Sequence, residues 1–494
     1  MATETTETAQ AELPTFLAGP VLVTGAGISG RGIAHLLTDL GVSVEIADDN
    51  DTAVTEAAEA TGAVGISVAQ ARERLDAYSC VVTSPGWSPT AELLVAAAEA
   101  GLEVLGDVEV CYRLDQAKVF GPSRSWLVVT GTNGKTTATA MLAAMLVEAG
   151  AAAVAVGNIG VSVADALTSA DRADVLVVEM SSFQLHWSKD LIPEVGILLN
   201  LAEDHIDWHG SMAEYAAAKA KVLKAPIAVV GADDPLVMEQ VAALETTENI
   251  VGFTLAEPVP GQLGIRDGKL VDATGMVVDG DVVTDESEVV LAEADGIQPP
   301  GTAGMYDALA AAGAARAVGV SAAQVAAALA AFEVAGHRGQ VVADNDGIVA
   351  VDNSKATNPH AADSALSGYE SIVWIAGGQL KDADVTELIT KHAKRLKAVA
   401  VLGADRAVIA AAVEKLAPEA EVFVTDATDP EEAMTAVCAW AVTQAEPGDA
   451  IVLAPAAASL DMYSGMAHRG NLFTQYISEH LGAYVTDEHE GESQ

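Results

Sequence analysis

Short runs of β-branched residues alternate with Ala- and Leu-rich stretches along almost the whole chain, and this alternation restricts the fold more than any other feature. Runs such as Val21–Thr24, Cys80–Thr83 and Trp126–Thr130 have the length of a strand. The stretches between them have the composition and spacing of helices. Strands that alternate with helices form parallel sheets covered by helices, so the sequence predicts an α/β protein throughout.

The predicted strands fall into three groups, and 494 residues are too many for one hydrophobic core. We predict an acidic disordered tail at residues 1–17 and a Rossmann-like N-terminal domain at 18–113. A P-loop ATPase-like central domain follows at 114–334, and a Rossmann-like C-terminal domain at 335–494. Within the central domain, residues 250–300 have the Gly, Asp and Val content of short strands and turns.

The charge balance restricts the partners. The chain has 25 Lys and Arg against 70 Asp and Glu, a formal net charge of −45. This field repels a phosphate backbone, so nucleic acid is excluded as a partner. An anionic substrate would have to be held by a few placed cations, backbone N–H groups, helix N-termini or Mg²⁺.

Cysteine use and the terminal segment indicate the compartment. Cys80, Cys111 and Cys438 are scattered and form no CxxC pair, which favours neither a disulfide framework nor a zinc site. The first residues lack the basic and apolar regions of a secretory signal. No apolar stretch reaches the roughly 20 residues of a membrane span. We therefore expect a cytoplasmic protein without membrane association.

A glycine motif follows the first predicted strand. Gly25-x-Gly27-x-x-Gly30 precedes a predicted helix, and Asp48 ends the next strand. This arrangement is typical of dinucleotide binding, because glycines let the backbone approach a diphosphate at a helix N-terminus. The motif alone leaves open a dehydrogenase, another diphosphate ligand or a tight turn.

A second phosphate motif, GTNGKTT, begins at Gly131 between a predicted strand and a predicted helix. Its N–H groups, a lysine and a hydroxyl would converge on one polyphosphate, with Thr136 on Mg²⁺. Val129 stands where the commonest P-loop spelling has glycine. The motif predicts ATP binding by seven residues: Gly131, Thr132, Asn133, Gly134, Lys135, Thr136 and Thr137.

In the central group, an acid ends one predicted strand and a histidine follows another. Glu179 closes VVE, and His205 follows a strand in NLAEDHID. We interpret these strands as neighbours whose carboxyl ends face the crevice where the P-loop opens. A carboxylate and an imidazole beside a P-loop predict a metal site.

Six segments together resemble a known family. GTNGKTT, EMSSFQL, NLAEDHIDWH, GHR, DNSKATN and APAAASLD occur in this order in the Mur ligases of peptidoglycan synthesis. The resemblance extends from about residue 18 to 482. EMSSFQL and SKATN are similar to the branch that adds D-glutamate to UDP-N-acetylmuramoyl-L-alanine. The chain departs from the family pattern at Asp307, Asn353, Gln379 and Met466.

The resemblance implies a reaction and its participants. ATP phosphorylates the carboxylate of UDP-N-acetylmuramoyl-L-alanine, and the amine of D-glutamate attacks the acyl phosphate. Two Mg²⁺ ions offset the charge. The first domain then binds the UDP-sugar, the second binds ATP, and the third swings over with the amino acid. The chain is expected to act as a monomer.

The resemblance also implies roles for individual residues. Lys135 would stabilise the transferred phosphoryl group, Thr136 and Glu179 would hold the first metal, and His205 and a carbamylated Lys219 the second. A free ammonium beside two metals would be repelled by them, which a carbamate avoids. The UDP-sugar would meet Ile28, Ser29, Asp48, Ser84, Gly86 and Asn158. The remaining residues would serve the nucleotide (Arg338 and Asn353) and D-glutamate (Thr357, Lys381 and Ser459).

Other functions stay open at this point. One is another Mur ligase or a folylpolyglutamate synthase-like ligase, since GTNGKT is common to all of these. A second is a dehydrogenase that uses the first glycine motif, which leaves GTNGKTT unexplained. A third is an ATP-binding module without turnover, against which Glu179, His205 and Lys219 argue.

Overall fold

The computed structural model describes residues 13–159, 161–245, 249–283, 288–334, 336–381 and 383–482. These residues form two compact units. The first contains residues up to 292 together with 309–328, and the second contains 293–308 and the chain from 329 onward. Most of the predicted tail, residues 1–12, lies outside the described residues, and Thr15–Leu17 form a single 3-10 turn with Leu17 buried.

A five-stranded parallel sheet opens the first unit, in the order β3-β2-β1-β4-β5. Its strands are β1 Val21–Thr24, β2 Val44–Ala47, β3 Val64–Ile66, β4 Cys80–Thr83 and β5 Glu103–Gly106. Its helices are α1 Ile28–Asp39, α2 Asp51–Thr61, α3 Val68–Glu73, α4 Glu92–Glu99 and α5 Asp107–Gln116. Every residue of β1 and β4 is buried, as expected for parallel strands covered by helices on both faces.

A nine-stranded sheet follows, in the order β14-β13-β12-β11-β10-β9-β6-β8-β7. Its strands are β6 Ser125–Thr130, β7 Ala153–Gly157, β8 Val175–Glu179, β9 Val195–Leu198, β10 Ile227–Gly231, β11 Ile250–Phe253, β12 Gln262–Arg266, β13 Lys269–Asp272 and β14 Val289–Glu293. The helices of this part of the chain are α6 Lys135–Glu148, α7 Val163–Thr168, α8 Ser182–His186, α9 Ile206–His209, α10 Met212–Ala220, α11 Pro235–Ala242, α12 Thr302–Ala317 and α13 Ala322–Ala330.

The strand order corrects one expectation. Glu179 ends β8 and His205 follows β9, but these strands are not neighbours, because β6 pairs with both. The P-loop that leaves β6 is therefore flanked by the acid on one side and the histidine on the other. The short strands β11 to β14 confirm the prediction for residues 250–300, and β12 and β13 pair antiparallel.

The second unit has a six-stranded sheet in the order β15-β16-β20-β17-β18-β19. Its strands are β15 Gln340–Asn345, β16 Ile348–Asp352, β17 Ile372–Gly377, β18 Leu396–Leu402, β19 Glu421–Val424 and β20 Ala450–Leu453. Its helices are α14 Pro359–Leu366, α15 Thr386–His392, α16 Arg406–Leu416, α17 Pro430–Gln444 and α18 Met466–Leu481. All strand pairs are parallel except β15 with β16.

The three sheets confirm an α/β fold with parallel strands and helical connections. Val, Ile, Leu and Ala side chains dominate the buried residues of each sheet, and Trp126 and Trp374 are the largest of them. All three cysteines are buried and unpaired. Among the described residues, no helix combines the length and apolarity that crossing a bilayer requires.

Candidate active site

A pocket of about 800 Å³ opens in the first unit. Its walls come from loops that follow strands of both sheets of this unit, including β1, β4, β6, β7 and β9. The carboxyl edges of two parallel sheets thus face one cavity, which is the edge where such folds bind ligands. Nine of the predicted site residues line it: Ile28, Ser29, Asp48, Ser84, Gly86, Lys135, Asn158, His205 and Lys219.

The glycine motif makes a tight turn at this pocket. Gly25 has a φ of +96°, and a Cβ there would lie 2.4 Å from Ser84 Oγ. A Cβ on Gly30 would lie 1.7 Å from the carbonyl oxygen of Gly25. No larger residue fits at either position, so the backbone itself lines the pocket at the N-terminus of α1. Ile28, which begins α1, is 83% exposed.

Asp48 holds this turn in place. Its carboxylate accepts hydrogen bonds from the backbone N–H groups of Ala26 at 2.8 Å and Asn50 at 3.0 Å. The contact explains the spacing between the glycine motif and the acid. It also means that Asp48 shapes the glycine turn as well as facing the pocket.

The P-loop is stabilised by Asn200, which follows β9. The Asn200 Oδ1 accepts hydrogen bonds from the N–H groups of Thr132 at 3.0 Å and Asn133 at 2.8 Å, and its Nδ2 donates to Asn133 O at 3.2 Å. The Thr132 hydroxyl lies 2.8 Å from the Tyr215 hydroxyl. The loop is therefore held from outside by side chains of the β9 and α10 segments.

Lys135 starts α6 with its side chain turned back over the loop. Its Nζ donates to the carbonyl oxygens of Gly131 at 3.0 Å and Thr132 at 2.8 Å. The preceding Gly134 has a left-handed φ of +80°, which a glycine adopts without steric cost. Lys135 thus lines the pocket from the N-terminus of α6, the end of a helix that favours anions.

Glu179 lies beside the P-loop hydroxyl. It is 2% exposed, and its carboxylate accepts hydrogen bonds from Thr136 Oγ1 at 2.5 Å and from Asn158 Nδ2 at 2.9 Å. Neither donor carries a charge. Because the Thr136 hydroxyl donates directly to the buried carboxylate, the two groups present oxygen ligands side by side. Hard cations such as Mg²⁺ prefer such ligands, and Mg²⁺ usually takes one or two carboxylates plus phosphate oxygens.

The described residues contain no group of three or more His, Cys, Asp or Glu side chains arranged for a metal ion. A metal at Thr136 and Glu179 would therefore take its remaining ligands from a bound phosphate or from water. This donor set fits Mg²⁺ better than zinc, which takes three or four protein ligands.

Lys219 is wholly buried in α10 at the same pocket. Its Nζ donates to Gly131 O at 2.7 Å and contacts Thr130 Oγ1 at 3.3 Å. Burial, together with the positive charge of Lys135, holds the pKa of Lys219 well below its usual value, although Asp204 and Glu179 oppose the shift. The uncharged form of the amine is consequently much more populated at Lys219 than at a surface lysine.

His205 is a half-exposed residue in the left-handed region, with a φ of 54°. Its ring packs on Phe183 with centroids 4.6 Å apart, and its Nε2 lies 3.5 Å from Asp204 Oδ2. Behind it, Trp208 and His209 continue a ring cluster around Phe183. The cluster fixes the imidazole at the pocket edge.

The predicted D-glutamate residues follow three adjacent strands of the second unit. Thr357 comes after β16, Lys381 after β17 and Ser459 after β20. Backbone hydrogen bonds join the loops directly: Ala456 N donates to Ala356 O at 2.9 Å, and Gln379 and Ala458 exchange two bonds of 2.9 Å. The three loops therefore form one continuous edge.

The predicted nucleotide residues of the second unit lie near the start of this sheet. Arg338 precedes β15, and Gly339 N donates to Asp352 O at 3.0 Å. Asn353 follows β16, and its N–H donates to Leu453 O at 2.8 Å. These two residues are thus close in the fold, because β15 and β16 pair antiparallel.

Two family models match the chain, the Mur ligase middle domain over residues 129–273 and the Mur ligase glutamate ligase domain over 337–457. The chain is 58% identical to UDP-N-acetylmuramoylalanine–D-glutamate ligase of Corynebacterium diphtheriae, covering 94% of this chain and 97% of the relative. It is 44% identical to the enzyme of the same name from Mycolicibacterium smegmatis, covering 94% and 97%.

The chain belongs to the Mur ligase family.

Solved structures support the fold of this Mur ligase. It resembles UDP-N-acetylmuramate–alanine ligase from Thermotoga maritima with a TM-score of 0.53 and 17% identity, covering 93% of this chain and 99% of that one. A pseudomurein peptide ligase type C from Methanothermus fervidus matches with a TM-score of 0.53 and 15% identity, covering 92% and 99%.

Two residues that shape the candidate site of the ligase were not predicted from the sequence. Asn200 supports the P-loop, and its only sequence signal is its place at the start of NLAEDHID, two residues after the end of β9. Asp107 lines the pocket at the start of α5, and burial raises its pKa to about 6. No local pattern marks Asp107, because its partner Ser29 is far away in the sequence.

Proposed function

We propose that this Mur ligase joins D-glutamate to UDP-N-acetylmuramoyl-L-alanine with consumption of ATP. The observation that carries the proposal is a pocket of the first unit that is lined both by the glycine turn and by Lys135 of the P-loop. A diphosphate held at the first motif and a triphosphate held at the second would be within one cavity. This arrangement suits transfer of a phosphoryl group from ATP to a carboxylate of the nucleotide-linked substrate.

The reaction proceeds in two steps. A carboxylate oxygen of the substrate attacks the γ-phosphorus of ATP, and ADP leaves, which gives an acyl phosphate. The amine of D-glutamate then attacks the acyl carbon, and the tetrahedral intermediate collapses to the amide and phosphate with loss of a proton. Lys135 stabilises charge on the transferred phosphoryl group, and the N–H groups of the P-loop orient the phosphates.

The nucleotide sugar is held at the first sheet. Ile28 and Ser29 at the start of α1, together with the Ser84 and Gly86 turn, contact the UDP moiety around the turn that Asp48 fixes. Asn158 contacts the muramoyl portion, and its hydrogen bond to Glu179 links that contact to the P-loop side.

Thr136 and Glu179 would hold one Mg²⁺, and His205 with Lys219 would hold a second. Bound Mg²⁺ supplies positive charge that offsets the phosphate oxygens in a chain whose overall field repels them. The support is the paired oxygen ligands of Thr136 and Glu179, and the position of His205 on the other side of β6.

Lys219 is carbamylated. Its uncharged amine attacks CO₂, one proton is released, and the product is an anionic carbamate. The low pKa of Lys219 makes the uncharged amine available for this attack. The carbamate also removes the ammonium charge that would repel a metal ion.

The second unit provides the D-glutamate site. Lys381 pairs with one carboxylate together with Thr357, and Ser459 with nearby N–H groups takes the other. Arg338 and Asn353 serve the nucleotide. We also propose that the boundaries near residues 113 and 334 separate three domains. The ligase acts as a monomer in the cytoplasm, where ATP and nucleotide sugars are available.

The test is phosphate release from ATP by the purified chain. We expect release only when UDP-N-acetylmuramoyl-L-alanine and D-glutamate are both present. Replacing D-glutamate with L-alanine, L-lysine or diaminopimelate tests the other Mur ligase activities, and a folate substrate tests the folylpolyglutamate alternative. Equal release with another amino acid would overturn the proposal.

A further inference from the structure

Arg469 of α18 is a wholly buried arginine that the proposed reaction does not use. Its guanidinium donates hydrogen bonds to three separate loops. Nε donates to Ser354 Oγ at 3.1 Å and Nη2 to Ser354 O at 2.8 Å. Nη1 donates to Gly377 O at 3.3 Å and to Ala457 O at 3.1 Å.

The three acceptors follow or end the strands β16, β17 and β20, which are adjacent in the sheet. Each acceptor also lies a few residues before a proposed D-glutamate ligand. Ser354 precedes Thr357, Gly377 precedes Lys381, and Ala457 precedes Ser459. One side chain therefore joins the three segments that carry the amino-acid site.

The charge of Arg469 is unusual in this position. Among the described residues, its hydrogen-bond acceptors are carbonyl and hydroxyl oxygens and include no carboxylate. Burial lowers its pKa to about 10, so it remains charged at neutral pH. The carboxylates of Asp461 and Asp352 favour the charged guanidinium at longer range. A buried charge without a hydrogen-bonded carboxylate is nevertheless costly, and four hydrogen bonds to neutral acceptors offset only part of that cost.

A positive charge kept at the ligand edge benefits an anionic ligand. The chain carries a formal charge of −45, and D-glutamate brings two carboxylates to this edge. A fixed, desolvated cation beneath the loops lowers the energy of these carboxylates without contacting them, because charges in a poorly screened interior interact over several ångströms.

We propose that Arg469 is a positioning residue for the amino-acid substrate, which fixes the three loops that bind D-glutamate and supplies positive potential beneath them. The inference rests on the proposed D-glutamate site of the second unit. It adds a determinant of amino-acid affinity that contacts neither the substrate nor the nucleotide.

The experiment compares Arg469→Lys and Arg469→Gln by steady-state kinetics with each of the three substrates. We expect KM for D-glutamate to rise by roughly tenfold or more in both variants, as for the loss of hydrogen bonds from a charged group. KM for D-glutamate should rise more in Arg469→Gln than in Arg469→Lys, because lysine keeps the positive charge and loses only the planar set of guanidinium donors. KM for ATP and for UDP-N-acetylmuramoyl-L-alanine should stay within about twofold of the parent.

Arg395, a partly buried arginine in the turn before β18, offers a control in the second unit. Its Nη1 donates to the carbonyl oxygens of Leu366, Ser367 and Tyr369, and its own carbonyl accepts from Ile372 N at the start of β17, the opposite edge. Arg395→Lys should lower the melting temperature and leave KM for D-glutamate unchanged. An Arg469 variant that behaves like Arg395→Lys would overturn the proposal.

A milder variant covers the case in which both Arg469 variants fail to fold. Ser354→Ala removes one acceptor of the guanidinium and should raise KM for D-glutamate by a few-fold only. An unchanged KM in Ser354→Ala, with Arg469 variants unfolded, would count against the inference. If the parent protein does not use D-glutamate, the proposed function itself fails. If the parent uses D-glutamate and the Arg469 variants keep its KM, only the role of Arg469 fails.

Discussion

The Nζ of Lys219 lies 2.7 Å from the carbonyl oxygen of Gly131, so the buried lysine of α10 contacts the backbone of the P-loop directly. The two groups are 88 residues apart in the sequence. The contact places the proposed modification site beside the phosphate-binding loop. It also explains how Lys135 influences Lys219, because the Nζ atoms of both residues donate to the carbonyl oxygen of Gly131.

Lys219→Ala should abolish most turnover, because the carbamate and its metal contact are lost. Added formate or acetate should restore part of the activity by supplying a carboxylate in the vacated space. Exposed Lys224 is the control: Lys224→Ala should retain activity and show no response to these acids. Rescue that is equal in both variants, or absent in Lys219→Ala, would contradict the carbamate.

Lys135→Ala should reduce kcat by roughly 10²–10³-fold, the usual loss for one preorganised donor to a charged transition state. The measurement is acyl-phosphate formation, trapped chemically in the absence of D-glutamate. Near-normal formation of the acyl phosphate would show that Lys135 does not serve phosphoryl transfer.

Asn200 should determine ATP affinity through the P-loop. Asn200→Ala removes the acceptor for Thr132 N and Asn133 N, and Asn200→Asp keeps an acceptor but adds a negative charge near the phosphates. We expect KM for ATP to rise in both, and more in the Asp variant.

Asn50 is the control for Asn200, because its Oδ1 likewise accepts two backbone N–H groups as the cap of α2. Asn50→Ala should cost about 1 kcal/mol of stability without changing KM for ATP. Equal KM values for ATP in the Asn200 and Asn50 variants would refute the role of Asn200.

Lys381→Ala should raise KM for D-glutamate far more than KM for ATP or for the nucleotide sugar. Lys381 follows β17 with a left-handed φ of 52° at the edge that also carries Thr357 and Ser459. Steady-state kinetics with each substrate varied in turn gives the comparison. An increase confined to ATP would place Lys381 in the nucleotide site.

Acid should destabilise the first unit through His209. Both ring nitrogens are buried without a hydrogen-bond partner among the described residues, and burial followed by nearby positive charges lowers its pKa to about 4. A base whose pKa is lowered by folding contributes stability above its ordinary pKa of 6.5, and this contribution is lost as the pH falls toward 4.

His209→Phe should therefore lessen the loss of stability between pH 7.5 and pH 4.5, on the order of 2 kcal/mol. Urea unfolding of the variant and the parent at the two pH values measures the difference. Exposed His35 serves as the control, and His35→Gln should follow the parent. Parallel losses in His209→Phe and the parent would show that His209 does not titrate in this window.

The α/β class, most of the central strands and the two phosphate motifs could be predicted from the amino-acid sequence. These features depend on residues close together in the chain: the apolar runs of β1 and β4, and the glycines and lysine between one strand and the next helix. Family membership likewise followed from segments such as GTNGKTT and EMSSFQL. Glu179 was recognised because it ends a strand, and His205 because it lies in the segment after the next strand along the chain.

The contacts between residues that are distant in the chain became visible only in the folded structure. It placed β6 between β8 and β9, and it brought the glycine turn and Lys135 of the P-loop to one pocket. It gave Asn200 its role 68 residues from Thr132, and it put Arg469 against Ser354 across 115 residues. Local patterns cannot encode these contacts, because strand order and the packing of helices on sheets determine which loops converge at a sheet edge.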